Sequence, residues 1–509
     1  MLVHSIRTRF AFTVIASLFR GLLGFITGML LARWMGPDVY GDMAFLLGTF
    51  LGIRQLMDMG SSSAFFTFMS QRPRSKRFVL SYFAWLALQG LIGMCVIGLI
   101  FPDRWISVIW HGENRGLVLL AFLAAFMQNS VWTVVQQTGE SQRLTVRVQS
   151  AGVAVVGAHL LAVILLWRLG ILGLYAIFVA IAIEYFLATI VLLGGHTIPP
   201  IGESDTADGS PEPQFREYLR YCLPLISYSI IGFAYAFFDK WLLQRHGGSV
   251  EQAYYAVGAQ FGAVALLATS SILRIFWKEV AEAHHRGDHT RTENIYMKVS
   301  RLLFHIGAII AGFLIPWTRD LLGLILGTAY VGGTATTAIM FLYPVHQSMG
   351  QIVTTMFLAT ERVSIQVFIG SAFMIAGMAV TYLVLAPRNS LVPGLELGSE
   401  GLAIKMVVLQ VLQVNLLAYI LARISKWRFD WLHQFVSLIC CLAIGWLSHF
   451  LVISLAGHSR PLLMTILVGG ALYLGSMGML VYTMPWLTGL TRNEFISVVG
   501  RLQDPDSAT

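Results

Sequence analysis

The sequence is poor in charged residues. Only 12% of its 509 residues are Asp, Glu, Lys or Arg, whereas 56% are hydrophobic. About a quarter of a soluble chain is charged, so this composition excludes a soluble globular protein and indicates that lipid covers the apolar surface. The formal net charge of +8 does not indicate nucleic-acid binding. The basic residues stand in short loops between apolar runs, where they report membrane orientation.

Cysteine and the common cofactor motifs are also scarce. The four cysteines all fall inside apolar runs and show no C-x-x-C spacing: Cys95, Cys222, Cys440 and Cys441. This pattern argues against a disulfide framework and a cysteine-based metal site. The chain has no Walker A motif, no G-x-G-x-x-G and no H-E-x-x-H, which are the signatures of bound nucleotide, dinucleotide and zinc. We therefore expect no cofactor, no metal and no enzymatic activity.

Long apolar runs, in contrast, are abundant. A spanning helix needs about 20 mostly apolar residues, and on that measure the sequence predicts an all-α integral membrane protein with about 14 transmembrane helices. The first run is too long for a signal peptide and has no small-residue cleavage site, so we expect it to be retained. With a cytoplasmic N-terminus, about 22 Lys and Arg lie inside and about 8 outside, which predicts that both termini are cytoplasmic.

One polar stretch divides the chain. The segment GGHTIPPIGESDTADGSPEPQFREY, from residue 194, is rich in Pro, Gly, Ser and acids and has no apolar period. This composition is typical of a flexible linker. We therefore predict an N-terminal lobe of helices 1–6 (1–193), a cytoplasmic linker (194–217) and a C-terminal lobe of helices 7–12 (218–424). Helices 13 and 14 and a cytoplasmic tail follow (425–509).

The two predicted lobes share a motif. LLARWMGPDVYGDMAF, from residue 30, contains a Gly-Pro-Asp tripeptide that favours a tight turn. LLQRHGGSVEQAYYAV, from residue 242, repeats the order: Leu-Leu-x-Arg, a glycine turn, then Tyr leading into a helix with small residues. A repeat with an even number of helices per unit has parallel topology. It predicts two lobes related by an axis along the membrane normal.

Ionisable residues at bilayer depth are candidates for function, because each costs roughly 2.5–3.5 kcal/mol to insert. Arg20 lies near the middle of helix 1 and Glu184 in the centre of helix 6, and the sequence shows no local partner for either. We predict functional roles for both. Arg54 and Asp58, in helix 2, are spaced i,i+4 and can neutralise each other. Mutual pairing and binding of a substrate both remain open for them.

Other intramembrane charges have simpler explanations. Asp239 and Lys240, in helix 7, point about 100° apart, so at most one of them faces a cavity easily. Arg274 and Lys405 lie close enough to helix ends for their side chains to snorkel to the interface. Glu184 is an acid that could bind a coupling proton or sodium ion, with Asp58 and Asp239 as further candidates for coupling or charge pairing.

Several segments in order resemble one family. LARWMGPDVYGDMAF (31–45) resembles the first loop of polysaccharide and O-antigen flippases of the multidrug/oligosaccharidyl-lipid/polysaccharide exporter superfamily. The resemblance continues through CLPLISYSIIGFAYAFFDKWLLQRHGG, LGLILGTAYVGG and LATERVSIQ. It implies a 14-helix, V-shaped, alternating-access transporter with cavity arginines in helices 1, 2 and 8. In this chain those arginines are Arg20, Arg54 and Arg274.

The resemblance also implies a cargo. It implies a secondary transporter in the bacterial inner membrane that moves an undecaprenyl-diphosphate-linked oligosaccharide from the inner to the outer leaflet. Its partners are then membrane lipid and, for assembly, a polysaccharide polymerase and chain-length machinery. Guanidinium groups suit this cargo because they bind phosphate oxygens bidentately. Two alternatives remain: an exporter of another lipid-linked precursor or a drug, and a membrane polymerase or ligase. Such enzymes usually carry a large outer loop, whereas the longest loop here is predicted to be cytoplasmic.

Overall fold

Helices make up the regular structure of the chain. The computed structural model describes residues 6–72, 74–194, 211–286, 288–360, 362–456 and 461–489, and these ranges contain no strand. The predicted all-α fold class is therefore confirmed. Most of the predicted linker and the C-terminal tail lie outside the described residues, and the last part of the predicted linker belongs to a helix that begins at Pro211.

Seventeen α-helices occur in the described residues. In chain order they are α1 (Ile6–Asp58), α2 (Ser61–Gln71), α3 (Lys76–Cys95), α4 (Asp103–Ile109), α5 (Arg115–Phe126), α6 (Trp132–Ser141), α7 (Thr145–Arg168), α8 (Leu174–Leu193), α9 (Pro211–His285), α10 (His289–Leu314), α11 (Thr318–Ile325), α12 (Thr334–Met340), α13 (Tyr343–Ala359), α14 (Val363–Leu385), α15 (Gly398–Ser425), α16 (Trp431–Ala456) and α17 (Leu462–Thr483). Two π-helical segments, Val96–Ile100 and Met127–Val131, continue α3 and α5.

Many of these helices match the thickness of a membrane. Eleven helical segments of the described chain are long and apolar enough to cross a bilayer, and the protein is a multi-pass membrane protein. Two of the segments, in α1 and α9, contain 48 and 52 residues. Because a 20-residue helix already spans about 30 Å, each of these two is long enough for two crossings. The number of about fourteen spans stays a prediction.

The two longest helices are each kinked at one glycine. Gly36 in α1 has φ 75° and ψ 167°, and Gly248 in α9 has φ 77° and ψ −175°. The two glycines occupy equivalent positions in the repeated motif, so both copies have the same backbone geometry. No neighbouring described atom lies within 4 Å of a Cβ built at either glycine. The positive φ, rather than a lack of space, therefore favours glycine here.

The chain divides into two compact units. Unit 1 comprises residues 1–256 and 374–399, and unit 2 comprises residues 257–373 and 400–509. In unit 1, α1 packs against α5 and α7, and both of these contact α8. In unit 2, α10 packs against α13 and α16, and α17 packs on α16. The lobes predicted at 1–193 and 218–424 describe the internal repeat and stay a prediction.

Candidate functional site

Arg54 borders two small cavities inside unit 1. One cavity is largely polar, and the other is largely aromatic. The polar cavity is lined by Arg54, Met57, Asp58, Ser62, Leu86, Gln89, Ser130 and Val134, and the aromatic one by Phe50, Arg54, Met57, Phe122, Ala125, Phe126 and Ser130. Among the described residues, no carboxylate oxygen lies within 4.0 Å of the Arg54 guanidinium. A cation at a cavity without a fixed counter-ion is a candidate site for an anionic ligand.

Asp58 caps a helix instead of pairing with the arginine one turn before it. Helix α1 ends at Asp58, and α2 begins at Ser61 after Gly60, whose φ is 85°. One Asp58 carboxylate oxygen accepts the Ser62 backbone N–H at 2.9 Å and the Ser61 hydroxyl at 3.1 Å. The other accepts the Ser62 hydroxyl at 2.9 Å. Both oxygens are thus used at the start of α2, where orphan N–H groups need acceptors.

The break between α1 and α2 is stabilised on its other side as well. The Gln89 side-chain amide donates to the Met57 carbonyl at 2.8 Å, and the Ser61 hydroxyl lies 3.1 Å from the Tyr82 hydroxyl. Broken helices at membrane depth require such partners for their freed backbone groups. The sequence did contain a signal for this break. The run Asp-Met-Gly-Ser-Ser-Ser (58–63), with its glycine and serines, is typical of a helix end and the start of a new helix.

Arg20 reaches the neighbouring helix α7. Its guanidinium donates to Gln149 Oε1 at 2.8 Å and to Ser17 Oγ at 3.3 Å. Gln149 in turn donates to Glu140 Oε1 at 2.8 Å. A Cβ at Gly152 would lie only 2.8 Å from Arg20 Nη1, so this glycine makes room for the guanidinium. The partner is neutral, and no described carboxylate oxygen lies within 4.0 Å of Arg20. The positive charge is therefore held in place but not neutralised directly.

The π-helical segment Met127–Val131 neighbours both arginine sites. Ser130 of this segment lines the cavities beside Arg54, and Gln128 donates to the Tyr185 hydroxyl at 3.3 Å. Tyr185 lies close enough to Arg20 for the two groups to interact electrostatically. The described contacts do not join Arg20 to Arg54 directly. Single-turn π segments occur frequently at functional sites. This one contributes Ser130 to the cavities beside Arg54 and Gln128 to the surroundings of Arg20.

Glu184 has a partner that the sequence did not reveal. Its Oε2 atom lies 2.7 Å from His159 Nδ1, between α8 and α7, and both side chains are largely buried. The other carboxylate oxygen is buried without a hydrogen-bond partner among the described residues. The expectation of an acid without a partner is therefore wrong. Glu184 and His159 form a titratable pair inside the apolar part of unit 1.

The two neighbouring charges of α9 contact different helices. Asp239 is 7% exposed and accepts the Thr381 hydroxyl at 2.6 Å. Lys240 packs on α1, where a Cβ at Gly48 would lie 2.5 Å from Lys240 Cδ. The two side chains thus diverge, as the 100° helical step predicts.

The first loop motif forms a tight seam with α9 within unit 1. A Cβ at Gly41 would lie 1.8 Å from the Ser249 carbonyl oxygen, so only glycine permits this approach. Next to it, Asp42 accepts hydrogen bonds from the Gln244 side chain at 3.0 Å and from the Ser249 hydroxyl. In the order Gly-Pro-Asp-Val-Tyr-Gly-Asp, the first glycine kinks the helix and the second permits the close approach of α9. The final aspartate accepts hydrogen bonds from α9. Sequence reasoning found the turn but not its partner at Ser249.

Burial shifts the pKa of two titratable groups near this seam, Glu113 and His111. Burial raises the pKa of Glu113, and the nearby Asp42 carboxylate acts in the same direction. Burial also lowers the pKa of His111, whose ring lies 5.7 Å from that of Trp241. Desolvation thus penalises the charged form of both groups.

The remaining predicted residues do not join this site. Arg274 lies outside the residues whose side chains the structure describes, and its role stays a prediction. The expectation that Lys405 snorkels to the interface is wrong, because Lys405 is only 2% exposed in α15. In the described part of the chain, no group of three or more His, Cys, Asp or Glu residues could hold a metal ion.

Arg20 and Arg54 lie in a part of the chain that matches a known family. The profile of the family described as "Polysaccharide biosynthesis protein" matches residues 7–276, which is more than half of the chain. The chain belongs to the polysaccharide biosynthesis protein family. No curated protein matches the full sequence significantly.

Solved structures show what fold this polysaccharide biosynthesis protein has. It is similar to the lipid II flippase MurJ in an inward closed conformation, with a TM-score of 0.71, 12% identity, and coverage of 93% of this chain and 99% of that one. It is also similar to an inward-facing MATE family multidrug resistance transporter of the MOP superfamily, with a TM-score of 0.64 and 14% identity. That match covers 80% of this chain and 96% of the transporter. A MOP superfamily transporter from Pyrococcus furiosus matches with a TM-score of 0.51 and 13% identity, over 82% of this chain and 95% of that one. At these identities, the similarity establishes the fold of the family member.

Proposed function

We propose that this protein is a flippase that moves an undecaprenyl-diphosphate-linked oligosaccharide from the inner to the outer leaflet of the bacterial inner membrane. The observation that carries the proposal is Arg54, a cation at two membrane-embedded cavities with no carboxylate oxygen within 4.0 Å among the described residues. The family match over residues 7–276 supports a role in polysaccharide assembly. A polymerase and chain-length machinery then use the exported units.

The chemistry of the site suits a diphosphate. Arginine presents a planar fork of N–H donors that matches two phosphate oxygens, and it stays charged when it is partly buried. At Arg54 no described carboxylate competes for these donors, because Asp58 is engaged by Ser61 and Ser62. Arg20 uses one terminal nitrogen for Gln149 and Ser17 and retains further donors. The two arginines provide anion-binding groups in neighbouring parts of unit 1.

Translocation of a fluorescent lipid-linked oligosaccharide into proteoliposomes tests this proposal. Arg20→Ala should reduce the initial rate about 10- to 100-fold, because a hydrogen bond to a charged group contributes about 1.5–3 kcal/mol. Arg20→Lys should retain part of the rate, since lysine keeps the charge but loses the fork. Arg168→Ala removes an exposed arginine of α7 that stacks on Trp167 and should transport normally. Wild-type vesicles that fail to move the oligosaccharide would contradict the proposed function.

Coupling to an ion gradient is assigned to Glu184 and His159. The pair has one proton-accepting oxygen with no described hydrogen-bond partner, and buried acids and histidines in membranes commonly relay protons. Glu184→Gln keeps the shape and removes the charge, so gradient-driven transport should be lost while substrate binding remains measurable. His159→Gln should change the proton or sodium dependence of the rate. If both variants only lowered stability and kept the wild-type ion dependence, the pair would have no role in coupling.

A drug exporter is the second candidate. Phe50, Phe122 and Phe126 lie beside Arg54, and aromatic side chains of this kind line many sites that bind drug-like molecules. The similarity to a MATE transporter concerns the fold. Counterflow of a lipophilic cationic dye in the same vesicles distinguishes the two candidates. The flippase proposal predicts no dye transport, because the unpaired arginines disfavour a cationic cargo.

A further inference from the structure

Unit 2 contains a separate cavity that the proposed translocation does not use. It has a volume of about 300 Å³ and lies where the start of α10, the turn between α13 and α14 and the end of α15 meet. The charge distribution of the sequence predicts that this end of the helices faces the cytoplasm. The volume is at the lower end of the range for pockets that bind small molecules. The cavity is therefore large enough for a phosphate-containing headgroup.

Two of the residues that line this cavity are basic. Arg362 and Lys426 border it from two different loops, and His289 and Ser425 also line it. In the described ranges, no carboxylate oxygen lies within 4.0 Å of either basic group. Thr360 also lines the cavity, but its hydroxyl already donates to the Met356 carbonyl at 2.8 Å. The lining thus offers two cations and a hydroxyl without a described anion to neutralise them.

Backbone hydrogen bonds order the two loops that carry Arg362 and Lys426, whose side chains are exposed. The Arg362 N–H donates to the Phe357 carbonyl at 2.8 Å, and the Trp427 N–H donates to the Ala422 carbonyl at 2.8 Å. Lys426, which directly precedes Trp427, has φ 60°. This left-handed conformation costs energy for residues that carry a Cβ. Two cationic loops are therefore ordered before a ligand arrives, which lowers the entropic cost of binding.

An aromatic residue of the lining favours a position of this cavity at the level of lipid headgroups. The Trp427 ring lines the cavity and stacks on Tyr296 with their centroids 5.5 Å apart. Tryptophan and tyrosine concentrate at membrane–water interfaces, because their rings are apolar and their N–H and O–H groups are polar. A ligand bound here would meet two cations at its phosphate and an aromatic surface on its apolar side.

We propose that this cavity binds the phosphate headgroup of an anionic phospholipid from the cytoplasmic leaflet. Basic pockets between transmembrane helices on the cytoplasmic side have the charge and position to bind anionic lipid headgroups. Lys426 supplies a compact charge, and Arg362 supplies a fork that holds two phosphate oxygens. This site is independent of the proposed oligosaccharide site, since it lies in unit 2 and its ligand is a component of the membrane.

Native mass spectrometry of the full chain in detergent tests the site, with phosphatidylglycerol, phosphatidylcholine and inorganic phosphate as probes. The double variant R362Q/K426Q should bind its tightest phosphatidylglycerol about 10- to 30-fold more weakly, given the contribution of each basic residue near an anionic membrane surface. The control R286Q/R423Q removes the same charge from exposed side chains that do not line the cavity. It should bind phosphatidylglycerol like the wild type. Melting in phosphatidylcholine vesicles should be the same for all three proteins and verifies folding.

Each other outcome overturns the proposal. Equal weakening in both double variants would mean that the chain attracts anionic lipid through its overall charge alone. Equal binding of phosphatidylcholine, which carries a phosphate but has no net charge, would show that the site does not select an anionic headgroup. Displacement of the lipid by millimolar inorganic phosphate would assign the cavity to free phosphate instead of a lipid. If the double variant misfolds, the single variants R362Q and K426Q must each weaken phosphatidylglycerol binding for the proposal to stand. No oligosaccharide enters this experiment, so its result does not depend on the proposed flippase activity.

Discussion

Arg54→Ala is expected to reduce translocation of the lipid-linked oligosaccharide at least 100-fold at normal membrane abundance. The arginine borders both cavities of the candidate site, and its charge has no described carboxylate within ion-pair distance. A diphosphate that loses a bidentate partner in a partly dehydrated cavity loses a charge-assisted interaction of about 3 kcal/mol or more. The rate of translocation in proteoliposomes measures this loss.

Asp58 provides the matched test, because the structure gives it a different role. Asp58→Asn should retain most of the transport, since the side-chain oxygen of asparagine can still accept the Ser62 backbone N–H at the start of α2. Asp58→Ala should lower the free energy of unfolding by about 1–2 kcal/mol through loss of the cap on α2. The double variant Arg54→Gln/Asp58→Asn should be as inactive as Arg54→Gln alone. A transporting double variant would mean that Arg54 serves only to balance Asp58, and it would remove Arg54 from the substrate site.

Gly41→Ala is expected to have the second large effect. The new Cβ would lie 1.8 Å from the carbonyl oxygen and 2.5 Å from the carbonyl carbon of Ser249. Because both atoms belong to the backbone, no side-chain rotation relieves the overlap, and α1 must move away from α9. Overpacking of a close contact costs about 1–3 kcal/mol, and a backbone overlap belongs at the upper end. Both the melting temperature and the rate of transport should therefore fall.

Two further variants make this prediction specific. Gly24→Ala lies in the same helix with nothing within 4 Å of its new Cβ, so stability and transport should be unchanged. Ser249→Gly added to Gly41→Ala should not restore either property, because it leaves the overlapping backbone atoms in place. Wild-type melting and transport in Gly41→Ala would show that the seam does not need the close approach of these helices.

The partners of Glu184 and Arg20 could not be predicted from the sequence, because they lie far away along the chain. Glu184 and His159 are 25 positions apart on adjacent helices, and Arg20 and Gln149 are 129 positions apart. No local pattern encodes either pair, since both depend on how α1, α7 and α8 pack. Asp58 is different. Its acceptor role at the start of α2 is local, whereas the i,i+4 spacing left pairing with Arg54 open. No Asp58 carboxylate oxygen lies within 4.0 Å of the Arg54 guanidinium.

Composition and pattern alone determined the all-α membrane fold, the turn at Gly36 and its repeat at Gly248. These features follow from hydropathy and from backbone preferences, which are properties of short segments. Tertiary structure decided which of the charges have a partner within hydrogen-bond distance. In the folded chain Glu184 lies against His159 and Lys405 is buried. Asp58 accepts hydrogen bonds at the start of α2, and Arg54 borders two cavities. The reason is physical: the cost of a charge in a membrane depends on the groups within a few ångströms, and those groups come from other helices.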